Sequence, residues 1–190
     1  MATFDKEIRF VSNNEHKLRE AAEILSGADV RVIPASLKID ELQTDNTEKL
    51  VRDKVLKAVR AIGRPLFVEH TGLYLDSLSG FPGGLTQVFW DTIQAERFAQ
   101  LFGVSGSNKV IARTAIAYCD GRKIHRFDGE ITGVIVDAPR GPRDFQWDCV
   151  FQADGQVQTF AEMGARKNDI SMRRDALMKL AEHLRRETRR

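Results

Sequence analysis

Four short stretches carry the side chains that could do chemistry. Ser12-Asn13-Asn14-Glu15-His16-Lys17 stands between a strand end and a helix start. Backbone N–H groups at a helix N-terminus, short polar side chains and one lysine are what a phosphate group needs. The stretch holds no glycine, unlike a P-loop, and a capped helix start would use the same residues. Glu41, Asp45 and Glu48 come next, with Lys54 and Lys57 one or two helical turns later. A carboxylate there could hold Mg²⁺ while a lysine steadies a triphosphate; a solvated loop entering a helix has the same composition. Glu69-His70-Thr71-Gly72-Leu73 directly follows a buried strand, where ligands of α/β proteins commonly sit. A carboxylate beside an imidazole suits metal or acid–base work, and also an ordinary polar strand edge. The fourth stretch is Asp144-Phe145-Gln146-Trp147-Asp148, with Lys167-Asn168 and Ser171-Met172-Arg173 further on. Its aromatics could stack on a nucleobase or fill a core.

The elements that must position these residues follow from periodicity. Glu7 to Ser12 predicts a first strand, and Leu18, Ala21, Ala22 and Leu25 a helix stripe ending near Gly27. Val30 to Ile33 predicts a second strand. Val51, Val55, Ala58, Val59 and Ile62 predict a second helix that stops at Gly63, and residues 66–68 a third strand. This β-α-β-α-β order favours an α/β fold. Beyond a glycine-rich loop, 92–102 reads as helix, Ser105 to Asn108 as a turn, and 110–118 with 123–136 as long strands. Residues 148–152 and 157–160 are strand candidates, and 172–187 a final amphipathic helix. Arg185 to Arg190 reads as a solvated helix end.

Composition narrows the class. The 190 residues are 42% hydrophobic and 29% charged, with 29 Lys+Arg against 27 Asp+Glu. Such a chain buries a core of its own, and residues 1–190 read as a single domain. A net charge of +2 argues against bulk nucleic-acid binding. No apolar run approaches the roughly 20 residues that span a bilayer, and no signal-peptide pattern opens the chain, so a cytoplasmic protein without membrane partners is expected. Cys119 and Cys149 are too few for a disulfide framework.

Taken in order, the four stretches resemble the inosine triphosphate pyrophosphatase, or Ham1-like, family from Ile8 to about Leu184. Ser12, Asn14 and Lys17 match its Thr/Ser-x-Asn-x-x-Lys turn, and Glu41-Leu42-Gln43 its Glu-x-Gln element. Glu69-His70-Thr71 and Gly80-Phe81-Pro82-Gly83 follow in outline. Asp144 to Asp148, Phe151 to Gly155, Thr159 to Met163, Lys167-Asn168 and Ser171 to Leu177 are similar to eukaryotic-type members. The resemblance implies a long mixed central sheet with flanking helices, two lobes around a nucleotide-binding cleft, and assembly as a homodimer. It implies cleavage of ITP, dITP or XTP to monophosphate and pyrophosphate with Mg²⁺. Carried onto this chain, Ser12, Asn14, Lys17 and Lys54 (or Lys57, one slip away) would hold phosphates and Glu41 the metal. Glu69 and His70 would stand at the catalytic position. Phe145, Trp147, Asp148, Lys167, Ser171 and Arg173 would form the base pocket.

Three residues depart from the family pattern. His70 replaces the second acid of the acidic pair, and imidazole suits Mn²⁺ better than Mg²⁺. Gln87 stands where a phosphate-facing Lys or Arg is usual, and Met172 where the base pocket has His. Losing a metal carboxylate and a phosphate cation would weaken transition-state stabilisation more than ground-state binding. The sequence therefore predicts a nucleotide-sensing or regulatory subunit with weak or lost hydrolysis, whose output needs an effector protein partner. The alternative is an active pyrophosphohydrolase that sanitises nucleotide pools, with Glu69, Glu41 or Asp76 covering the missing role.

Overall fold

In the computed structural model, residues 6–63, 65–104 and 106–188 are described. The parallel half of the sheet comes from two crossovers. β1 (Lys6–Val11) pairs in parallel with β2 (Val30–Ala35), Lys6 opposite Val30 and Val11 opposite Ala35, across α1 (Glu15–Ser26). α2 (Thr47–Ile62) then leads to β3 (Leu66–Leu75), parallel to β1 on its other side. From there the sheet turns antiparallel through β4 (Lys109–Cys119), β5 (Ile124–Ile135) and the short β6 (Phe151–Ala153). The strand order is β2-β1-β3-β4-β5-β6, the mixed sheet with flanking helices expected from the sequence. The remaining helices are α3 (Thr86–Phe102), α4 (Phe160–Met163) and α5 (Met172–Thr188).

The side-chain period of two divides the core. Phe10, Phe67, Ile116 and Tyr118 face α1 and α5, packing with Ile24, Leu25, Leu177, Leu180 and Leu184. Leu66, Val68, Ala115 and Ala117 face the other way, against Leu50, Val51, Val55 and Ala58 of α2. A third cluster joins Leu73, Leu75, Phe98, Trp147, Phe151 and Phe160 beyond the middle of the sheet. α2 keeps its predicted stripe and ends at Gly63, whose φ of 67° is the left-handed cap conformation glycine adopts at no steric cost.

Several elements differ from their sequence patterns. β3 runs ten residues rather than stopping at Val68, because β4 pairs with all of it: Glu69 lies opposite Ile116, His70 opposite Ala115 and Thr71 opposite Thr114. The Glu-His-Thr segment therefore sits inside a buried strand and not beyond its end. At Gly72 a Cβ would come within 2.3 Å of the Gly83 carbonyl, so the glycine lets the loop lie on the strand. Asp148 belongs to a 3-10 turn (Gln146–Cys149), and only Phe151–Ala153 is strand. Residues 157–160 are not a strand: Thr159 caps α4 with a reciprocal Glu162 contact. α3 starts six residues earlier than predicted and breaks its helical geometry at Gln94. On α1 the buried face is Glu20, Ala21, Ile24 and Leu25, and Ala22 is exposed. Ser105, Arg189 and Arg190 lie outside the described residues. Among those described, no helix is long and apolar enough to cross a membrane.

Candidate functional site

The first turn of α1 is built by its own polar residues. Ser12 Oγ accepts the Asn14 N–H at 3.2 Å, and Asn14 Oδ1 caps the helix by accepting the Lys17 N–H at 3.1 Å. Lys17 is thereby aimed inward, where Nζ lies 3.1 Å from Glu69 Oε1. Burial lowers the Lys17 pKa, with Arg173 and Lys54 adding to that and Glu69 opposing it. A cavity opens here, lined by Ser12, Asn13, Asn14, Lys17, Glu41, Lys54, His70, Thr71, Gln87 and Gln146. Lys54 reaches it from α2 and binds both the Glu41 carboxylate and the Glu69 carbonyl oxygen, the latter at 3.2 Å. Lys57 does not line it; its Nζ goes to the Asp40 carbonyl and to Asp53, each at 2.7 Å. Of the two lysines, Lys54 is the one that lines this cavity.

Adjacent residues of β3 face opposite ways, which separates Glu69 from His70. Glu69 points toward α1 and α5. Its Oε2 accepts from Arg173 Nε at 2.8 Å, and its Oε1 from Thr71 Oγ1 at 2.7 Å. Burial alone would raise this carboxyl, but Arg173 and Lys17 outweigh burial and hold it far below the usual carboxylate range. Glu69 is thus held as a buried anion paired with both Lys17 and Arg173. His70 faces α2. Its Nδ1 lies 4.0 Å from Glu41 Oε2, and its buried Nε2 has no hydrogen-bond partner. Burial, Lys17 and Lys54 push its pKa down to about 4, so the ring is neutral near pH 7. Asp76 lines a different cavity with Tyr74, Lys109 and Asp154, which removes it as a substitute carboxylate.

A second cavity adjoins on the other side of α1, walled by His16, Glu20, Glu23, Phe145, Asp148, Lys167 and Asn168. Lys167 lies 4.6 Å over the Phe145 ring, binds Asp148 Oδ2, and lies 2.8 Å from Glu20 Oε1. Burial raises the Asp148 pKa to about 6 against the pull of Lys167, and its Oδ1 has no partner. Three expected base-pocket residues sit behind this wall. Trp147 is fully buried against Phe151, 5.6 Å between ring centroids, as its core alternative required. Ser171 Oγ caps α5 by accepting the Arg174 N–H at 3.1 Å. Arg173 is buried between Glu69 and Glu20, its guanidinium 5.6 Å from the Phe145 ring. Met172 is core as well, packed among apolar residues, so its side chain takes no polar group away from the cavity wall.

Glu20 is the residue that sequence reasoning missed, although it shares the buried face of α1 with Ala21 and Ile24. An acid on a helix's inward face was the available signal. Gln87, in contrast, is engaged: its Nε2 donates to both Asp91 carboxylate oxygens at 2.8 Å and its Oε1 accepts from Gln146. As for a metal, Glu41 is the carboxylate on the wall of the first cavity, and its second oxygen faces the neutral His70. One carboxylate makes no closed cage; it fits a divalent ion whose remaining oxygens come from elsewhere.

Comparison with known proteins agrees with this fold. The Ham1 family model matches residues 8–183. The chain is 34% identical to a dITP/XTP pyrophosphatase of Methanopyrus kandleri over 92% of this chain and 94% of that protein. It is 36% identical to an inosine triphosphate pyrophosphatase of Kluyveromyces lactis over 94% and 95%. Among solved structures, the Staphylococcus aureus Ham1 protein superposes with a TM-score of 0.76 at 24% identity, covering 95% of this chain and 99% of that one. Fold, length and sequence coincide from the first strand to the last helix, and this chain belongs to the Ham1 family.

Proposed function

We propose that this protein is a pyrophosphohydrolase that cleaves ITP, dITP or XTP to the monophosphate and pyrophosphate. The observation that carries this is the pair of adjoining cavities. Residues 16–17 and 145–146 contribute one side chain to each, so a purine at Phe145 would have its phosphates at Lys17 and Lys54. Relatives similar along the whole chain carry the names of such pyrophosphatases, which favours hydrolysis over a nucleotide-sensing subunit with an effector partner.

Base choice follows from the donors and acceptors of the second cavity, walled by Phe145, Asp148 and Lys167. The Lys167 ammonium donates to a 6-oxo group, and the unpartnered Asp148 Oδ1 accepts the purine N1–H. Adenine would set its amino group against the ammonium and leave Asp148 unmatched, so it is rejected. In the first cavity, the Asn14 turn, Lys17 and Lys54 neutralise phosphate oxygens. Glu41 would hold Mg²⁺ or Mn²⁺, which when bound supplies charge stabilisation at the phosphate oxygens. His70, with Nδ1 toward Glu41 and Nε2 free, takes a proton from the attacking water at Nε2. Phosphate charge on Lys17 and Lys54 offsets the cations that depress it, so its basicity rises when substrate is bound. Assembly as a homodimer belongs to the same proposal, and the exposed Phe81, Val88 and Leu101 offer apolar surface for it.

Pyrophosphate release measured across ITP, dITP, XTP, ATP and GTP with Mg²⁺ and Mn²⁺ tests this. Turnover of ITP, dITP and XTP above ATP is expected. Tight ITP binding without product in either metal would return the protein to a sensing role.

A further inference from the structure

At the other end of β1 from the phosphate-side cavity, a cluster of metal-ligating side chains joins the C-terminal helix to the sheet. His125 comes from β5, and His183 and Glu187 lie one turn apart on α5. One ligand atom from each falls within 4.8 Å of the others. Lys6 and Tyr118 border this cluster, whereas Ser12 borders the phosphate-side cavity; the two ends of β1 are roughly 20 Å apart at about 3.3 Å per residue.

We propose that His125, His183 and Glu187 bind a divalent transition metal of the Zn²⁺ class and pin the last turns of α5 to β5. The two imidazole rings stand 4.3 Å apart, close enough for one ion to take a lone pair from each. His183 Nε2 is buried, makes no hydrogen bond, and lies 3.3 Å from Glu187 Oε1. The other carboxylate oxygen, Oε2, is occupied: Lys6 Nζ donates to it at 3.1 Å and Tyr118 Oη at 3.2 Å. That leaves Oε1 as the oxygen turned toward the histidines.

Outer partners orient the ligands, as in established zinc sites. Asp120 Oδ2 holds His125 Nε2 at 3.0 Å, and the Asp120 carboxylate is itself fixed by the Arg122 and Lys123 backbone N–H groups at 2.7 Å. The Lys6 ammonium adds a like charge near the ion, and its own bonds to Glu187 Oε2 and the Leu184 carbonyl hold it on the side away from Oε1. Two imidazoles and one carboxylate favour Zn²⁺, Co²⁺ or Ni²⁺ over Mg²⁺ and leave one position open to water.

Calorimetric titration of EDTA-treated full-length protein with Zn²⁺, paired with Co²⁺ absorption spectra, tests the site in a Cys119→Ser/Cys149→Ser background that removes thiol ligands. One Zn²⁺ per chain is expected, with a Tm that rises in Zn²⁺ and not in Mg²⁺. His125→Gln and His183→Gln should each weaken uptake by about tenfold or more while keeping the metal-free Tm. Should either variant fold poorly, Glu187→Gln read by the same titration carries the comparison. No uptake by the parent protein overturns the proposal. So does uptake that persists in these variants and disappears with His70→Gln, since the ion would then sit in the nucleotide cleft.

Discussion

Arg173 Nε donates to Glu69 Oε2 at 2.8 Å with both side chains 1% exposed, tying the first turn of α5 to the centre of β3. Glu20 of α1 completes the other side of the same guanidinium. One buried cation thus holds three elements together and fixes the carboxylate beside Lys17, which lines the cavity at the start of α1.

Breaking that pair from one side should be costly. Glu69→Gln leaves Arg173 buried with one anion fewer, and Arg173→Met leaves Glu69 with Lys17 as its one remaining ion-pair partner beside the Thr71 hydroxyl. Each is expected to destabilise the fold by about 3–5 kcal/mol, the range for an orphaned buried charge, in urea unfolding. An unchanged midpoint would mean that water reaches the pair. Because the folded Glu69 pKa lies below its unfolded value, its contribution is present above the usual carboxylate range and is lost as pH falls through it.

His70 predicts a second pH dependence at higher pH. Its folded pKa of about 4 lies below the ordinary 6.5, so the unfolded chain binds more protons in that interval. Stability from the neutral ring is complete above pH 6.5 and declines as pH falls toward about 4. His70→Asn should flatten that part of the stability profile. It should also remove the His70-dependent acid limb of kcat/KM, which reports the free enzyme.

The lysines of α1 and α2 separate by function. Lys17→Ala and Lys54→Ala should each cut kcat/KM for ITP by about 10–100-fold, the range for a charged hydrogen bond. Lys57→Ala, whose partners are Asp40 and Asp53, should stay within about twofold. Equal losses for all three would place the triphosphate outside this cavity.

Lys167→Met tests base selectivity. It should lower kcat/KM for ITP by about tenfold or more while ATP changes little, narrowing the ratio between them. Asp148 and Glu20 lose a shared cation, so a lower Tm is expected together with the kinetic change. A ratio that does not move would assign recognition of the 6-oxo group to another donor.

Local pattern alone made much of this molecule legible. The order of strands and helices, the stripe of α2 and the Asn14-capped turn all depend on neighbours close in sequence. The length of β3 was not legible, because its polar residues belong to a strand only once β4 lies beside them. That pairing also decides which way each side chain points, sending Glu69 to Arg173 and His70 to Glu41.

The sequence by itself determined the fold class, the family and the residue types around two neighbouring cavities. Only the tertiary structure decided that Glu69 is locked as an anion, that Trp147 is core, that Lys54 rather than Lys57 faces the cleft, and that Glu20 joins the network. It alone brought His125 to His183. Each of these rests on contacts between residues far apart in the chain, where burial and opposite charge select one partner among several that periodicity leaves equal.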